Sequence, residues 1–140
     1  MVSSGSAALD EIVAKLKSSN DQKRRYEYVL WLAKKLPPAP SELHCEANRV
    51  KGCESQVFVQ PLLNEGLLQR QGDADAQITT GLLALLIQGL SGLSPSEVLA
   101  VDPAFMAETG LQASLTPSRA NGFLNILRHM QAQAAALAAG

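Results

Sequence analysis

Thiols and imidazoles are scarce in this chain, which has two cysteines and two histidines among 140 residues. Cys45 and Cys53 form no CxxC pair, and His44 and His129 lie far apart in sequence, so a closed zinc set is excluded. Two cysteines do not make a disulfide scaffold, and a cytoplasmic location is the expectation. No unbroken apolar run is long enough to span a membrane. The stretch Met1 to Gly5 lacks the basic and then apolar pattern of a secretory signal. There is no glycine-rich phosphate loop and no βαβ alternation, which argues against a parallel nucleotide-binding sheet. Net charge is only −1, so no general electrostatic pull on nucleic acid or anionic membrane is expected. The basic run Lys23-Arg24-Arg25 falls within a helical pattern and reads as a solvated face.

Apolar residues at 46% and charged residues at 18% mark a globular chain with material for its own core. We read one domain over 1–140, with 1–5 and 136–140 expected to be flexible ends. Leu9, Ile12, Val13 and Leu16 fall at helical spacing. A second helix is expected from about Gln22 to Leu36, stopped by the prolines at 37, 38 and 40. An extended loop follows to Gly52. Alternation around Val57 and Val59 then predicts a half-buried strand, with Pro61 at an edge or bulge. Asn64-Glu65-Gly66 signals a turn, Leu67 to Arg70 a returning strand, and Asp73-Ala74 a weak third one. A leucine-rich helix from about Ala76 to Leu90 is expected in the middle of the core. Ser94-Pro95-Ser96-Glu97 reads as a capping box. Thr116-Pro117 opens a last helix with Phe123, Ile126, Leu127 and Met130 inward. Runs of one element type after another argue α+β: a small antiparallel sheet of about three strands with helices packed mainly on one face.

The stretch Asn48-Arg49-Val50-Lys51-Gly52-Cys53-Glu54-Ser55-Gln56-Val57-Phe58 concentrates the chemistry. Free cysteine is among the most buried residue types and often only fills space. Here, however, Gly52 permits backbone conformations suited to a loop tip. Asn48 and Ser55 can hydrogen-bond local backbone. Arg49 and Lys51 would favour the thiolate, the form that does chemistry, while Glu54 opposes them. Composition and spacing leave a reactive and a structural thiol evenly balanced, and leave the direction of the Cys53 pKa shift open.

The same stretch resembles the cysteine loop of the SufE family, sulfur acceptors of cysteine desulfurases, which shows Asn-Arg-Val, a variable residue, Gly-Cys-x-Ser-x-Val and an aromatic. Further resemblances follow in order along the chain. They are Lys34-Lys35-Leu36-Pro37-Pro38 before the loop, Asp73 to Ile78 leading into Gly81-Leu82, and Leu115-Thr116-Pro117-Ser118-Arg119-Ala120-Asn121-Gly122. Together they cover about Asp21 to Met130. Phe58 stands where tryptophan is common and Thr116 where serine is common; Cys45 matches no family demand.

The resemblance implies a SufE/IscU-like fold and makes Cys53 a persulfide-carrying nucleophile. It implies a pyridoxal-phosphate cysteine desulfurase (SufS-like or CsdA-like) as donor and an iron–sulfur scaffold complex as downstream acceptor. The chain would be a sulfur-transfer accessory that activates the desulfurase, not itself an enzyme, and would hold no cofactor or metal of its own. Asn48, Arg49, Gly52, Glu54, Ser55 and Gln56 would shape the loop or meet the partner, with Gly52 as hinge. Asp75, as helix N-cap, is expected to pair with Arg119; a partner contact for Arg119 is the other option. Cys45 is a candidate redox partner for Cys53. Three other readings compete: an IscU-like iron–sulfur scaffold, which needs more thiolate ligands than this chain offers, a thiol peroxidase or redox sensor using Cys53 with Cys45, and a purely structural adaptor.

Overall fold

The structure is a computed structural model that describes residues 4–53 and 55–139. Helices α1 (Ala7–Lys17) and α2 (Gln22–Lys35) come first. Two 3-10 turns, Ser41–Leu43 and Glu46–Asn48, lead into strands β1 (Val57–Asn64) and β2 (Leu67–Ala74). Helices α3 (Gln77–Gly89), α4 (Pro95–Leu99) and α5 (Phe105–Glu108), a 3-10 turn Leu111–Ala113, and α6 (Pro117–Ala139) complete the chain. No helix among the described residues is long and apolar enough to cross a membrane.

Helix α3 is the axis of the core, with Ile78 and Leu82 to Leu86 all buried. Each fully buried leucine contributes on the order of 2 kcal/mol over an exposed one. Glycines let neighbours come close to this axis. A Cβ on Gly81 would run into the Val29 carbonyl of α2, and one on Gly89 would sit 2.8 Å from Leu9 Cδ1 of α1. Helix α6 covers another side through Phe123, Ile126, Leu127 and Met130. The Ser94–Glu97 capping box forms as expected, with the Glu97 carboxylate accepting from the Ser94 N–H at 3.0 Å.

The fold is α+β, but the sheet has two strands where about three were expected. Residues 67–70 and 73–74 belong to one continuous strand. Gly72 joins them without a bulge, and its missing side chain lets α3 lie against the strand, since a Cβ there would stand 2.9 Å from Leu83 Cδ2. Glu65 and Gly66 both take positive φ, 54° and 80°, giving the two-residue turn whose twist suits a hairpin. Pro61 pairs with Arg70 inside β1. In a two-stranded ribbon half the N–H groups face away from the partner, so proline is tolerated.

Of the ends expected to be flexible, residues 1–3 and 140 lie outside the described residues. Ser4 is buried and its N–H donates to Asp10 Oδ1 at 2.9 Å, while α6 runs to Ala139.

Candidate functional site: the cysteine loop on helix α6

The loop is framed by residues with separate local tasks. Asn48 closes the second 3-10 turn and is buried, its Nδ2 donating to the Leu43 carbonyl at 3.0 Å. Arg49 makes a bridge to Phe58, and the Val50 N–H donates to the Val57 carbonyl at 2.8 Å. These contacts pinch the chain and set 51–53 and 55–56 off from the hairpin. At its tip Gly52 has φ +83°, a left-handed conformation that costs a side-chain-bearing residue roughly 1–2 kcal/mol.

The loop lies against α6 and the start of α3. Asn125 of α6 donates through Nδ2 to the Gly52 carbonyl at 2.9 Å, and a Cβ on Gly52 would stand only 2.6 Å from that nitrogen. The Cys53 thiol points at the Gly122 carbonyl, Sγ to O 3.7 Å, as a weak S–H donor. Ser55 Oγ lies 3.2 Å from Thr79 Oγ1 of α3, and the Gln56 N–H donates to Asp75 Oδ1 at 3.1 Å. Cys53, Ser55, Thr79, Leu82, Arg119 and Gly122 line a cavity of about 60 Å³, together with Ser118 and Phe123.

Burial pushes the Cys53 thiol up. The positive groups named in the sequence face elsewhere: Arg49 pairs with Glu46 at 3.4 Å, and Lys51 is exposed. The resting state is therefore a protonated, half-buried thiol hydrogen-bonded to backbone. Departure of the sulfur from the cavity removes the desolvation that holds the proton.

Several sequence expectations need revision. Asp75 forms no ion pair with Arg119; its carboxylate accepts the Gln56 N–H, and its own N–H donates to the Gln56 carbonyl at 3.2 Å. It is not the α3 N-cap either, a place taken by Ala76 without a side-chain bond. Asp75 thus anchors the loop's exit, and Arg119, exposed on the first turn of α6, borders the Cys53 cavity instead. Cys45 is an exposed free thiol beside the second 3-10 turn and does not line that cavity. Its neighbour His44 contacts Asp73 Oδ2 through Nε2 at 2.6 Å and lies over the Phe58 ring at 4.7 Å between centroids. Glu54 lies outside the described residues. No group of three or more His, Cys, Asp or Glu among the described residues could hold a metal ion.

Asn125 and Thr79 escaped the sequence reading. For Asn125 a signal existed: it lies three positions after Gly122, hence on the same face of α6.

Comparison with known proteins places the chain as a whole. The family model described as SufE, the Fe-S metabolism associated domain, matches residues 10–134. An uncharacterized SufE-like protein of Synechocystis is 51% identical over 94% of this chain and 83% of its own length. The SufE-like protein 1, chloroplastic/mitochondrial, of Arabidopsis thaliana is 42% identical over 90% of this chain, which spans only 34% of that relative. The cysteine desulfuration protein SufE of Plasmodium vivax is 40% identical over 81% of this chain and 46% of its own length. The solution structure of a hypothetical protein from Thermus thermophilus superposes with TM-score 0.82 at 29% identity, covering 96% of this chain and 98% of that one. With the family model spanning nearly the whole chain and a two-stranded α+β fold presenting Cys53 just after a left-handed Gly52, this chain belongs to the SufE family.

Proposed function

We propose that the chain accepts sulfane sulfur on Cys53 from the persulfide of a pyridoxal-phosphate cysteine desulfurase and passes it on for iron–sulfur cluster assembly. The pyridoxal phosphate belongs to the donor, and the acceptor loop works without a cofactor. Cys53 first gives up its proton. Its thiolate then attacks the outer sulfur of the donor persulfide; a new S–S bond forms at Cys53, the donor's S–S bond breaks, and the electron pair leaves with the donor thiolate, which takes up a proton. No net oxidation occurs. Rate depends on thiolate fraction, leaving-group pKa and access. Clearing the donor cysteine frees it for the next cycle, which is how the acceptor stimulates the desulfurase. The same exchange, run from Cys53 to a scaffold thiol, delivers the sulfur in a reducing compartment such as the cytoplasm.

The observation that carries this reading is the Cys53 sulfur at the wall of a cavity of about 60 Å³, on a loop whose Gly52 takes a positive φ. That space exceeds the roughly 10–15 Å³ a water-sized atom needs, so a second sulfur fits beside the first. Retracted, the persulfide is shielded from stray thiols; swung outward, it meets a partner. The test is incubation with a cysteine desulfurase and cysteine, followed by intact-mass measurement. We expect a gain of one sulfur atom that Cys53→Ser abolishes and Cys45→Ser retains. Sulfur found on Cys45, or on neither residue, would overturn the reading.

A further inference from the structure

We propose that the open cleft beside the cysteine loop is the docking site for a carboxylate-rich segment of the protein that donates sulfur to Cys53. This rests on the functional reading above and adds the chemistry of the partner's contact. The cleft measures about 520 Å³ and is lined by Glu46, Arg49, Lys51, Asn125, Arg128 and His129. Arg49 shares its charge with Glu46 at 3.4 Å. Lys51 and Arg128 meet no carboxylate among the described residues. The His129 imidazole is half-buried, pushed down by desolvation, and its Nε2 has no hydrogen-bond partner.

Among the described residues, three permanent cations against one carboxylate line this cleft, a local reversal of sign in a chain of net charge −1. Such a patch steers and selects an acidic partner surface. Arginine suits carboxylates in particular, because its planar fork can grip both oxygens.

Position identifies the occupant. Asn125 borders the cleft and holds the carbonyl of Gly52, the residue before the nucleophile. Any donor whose persulfide reaches bonding distance of Cys53 must cover ground next to Gly52, and the cleft begins there. The site is open, suited to a chain segment more than to an enclosed small ligand. A carboxylate seated in it also competes for the Asn125 amide, so docking and loop release share one atom. Nucleic acid is the weaker candidate, because nothing else in the charge distribution favours it.

Arg128→Glu is the diagnostic variant, since Arg128 is exposed on α6 and makes no bond to the loop. With the full chain, a purified cysteine desulfurase and cysteine, we expect the concentration for half-maximal stimulation to rise about tenfold, a typical effect for a charge reversal at such a contact. Turnover at saturation should hold, and Arg128→Lys should recover most of the loss. Wild-type half-saturation should weaken with added salt, and the variant's salt slope should be shallower. Iodoacetamide alkylation of Cys53 in the free variant should match wild type, confirming an intact loop. Unchanged half-saturation and salt slope in both Arg128→Glu and Lys51→Glu would overturn the proposal. So would an oligonucleotide that binds wild type but not Arg128→Glu while desulfurase affinity stays constant. A wild type that takes up no sulfur defeats the functional reading itself and takes the donor out of the cleft. The wild-type arm therefore separates the two failures.

Discussion

Gly52 meets two demands that only glycine satisfies together: a φ of +83° and the close approach of the Asn125 amide. That amide is the firmest tie between loop and helix, because the thiol contact at 3.7 Å is weak. Asn125→Ala removes a hydrogen bond worth about 1 kcal/mol, so iodoacetamide should label Cys53 of the free protein about fivefold faster. An unchanged rate would show that the clasp does not hold the thiol in. Desolvation also sets a pH signature. The alkylation rate of Cys53 should titrate above the range of a free cysteine, and Asn125→Ala should move the midpoint back down. The stability consequence has a definite sign. The folded thiol keeps its proton more tightly than the unfolded one, so the unfolded chain binds fewer protons once its thiol begins to ionise. That contribution is complete below the unfolded thiol's pKa and is lost as pH rises through the folded one; Cys53→Ser should lack this alkaline decline in urea titrations. Cys53 and Gly52 were legible in the sequence because their meaning is local. Asn125 was not, because its partner lies 73 positions away and asparagine on a helix surface looks ordinary.

Helix α3 reads as central from its leucines alone, and its burial agrees. Less legible was the part played by its glycines. Helix propensity favours alanine over glycine by about 1 kcal/mol, so Gly81 looks like a flaw in a good helix. In fact its missing side chain leaves the room into which a Cβ would drive against the Val29 carbonyl of α2. Gly81→Ala should therefore destabilise the protein by about 1–3 kcal/mol despite the better propensity, through overpacking against backbone that cannot yield. A urea midpoint equal to or above wild type would contradict this packing. The strand count was misjudged for a related reason. Gly72 between Arg70 and Asp73 reads as a break in one dimension, yet it is where the strand continues beneath Leu83 and Ile87. Pairing Asp75 with Arg119 by opposite charge overlooked the backbone N–H of Gln56 as the partner of the carboxylate.

Across the whole molecule, rigidity is distributed unevenly. The core of α3 and its neighbours is dense and apolar, while the cysteine loop is held by a few polar ties at its edge. Such a loop opens locally at far lower free energy than global unfolding. Cys53 labelling in urea below the unfolding midpoint should consequently rise with a slope well under the global m-value. Labelling that follows the global slope would mean that the sulfur emerges only when the whole domain unfolds. The cavity behind that sulfur has a further consequence. Its 60 Å³ is a gauge as well as a shelter. One added sulfur would fit there with the loop in place, whereas a glutathione adduct, far larger than the cavity, would keep the loop propped open. If Cys53 carries sulfur as proposed, the dimensions of a gap between two helices and a loop would make a carrier blocked by a bulky adduct conformationally distinct from a correctly charged one.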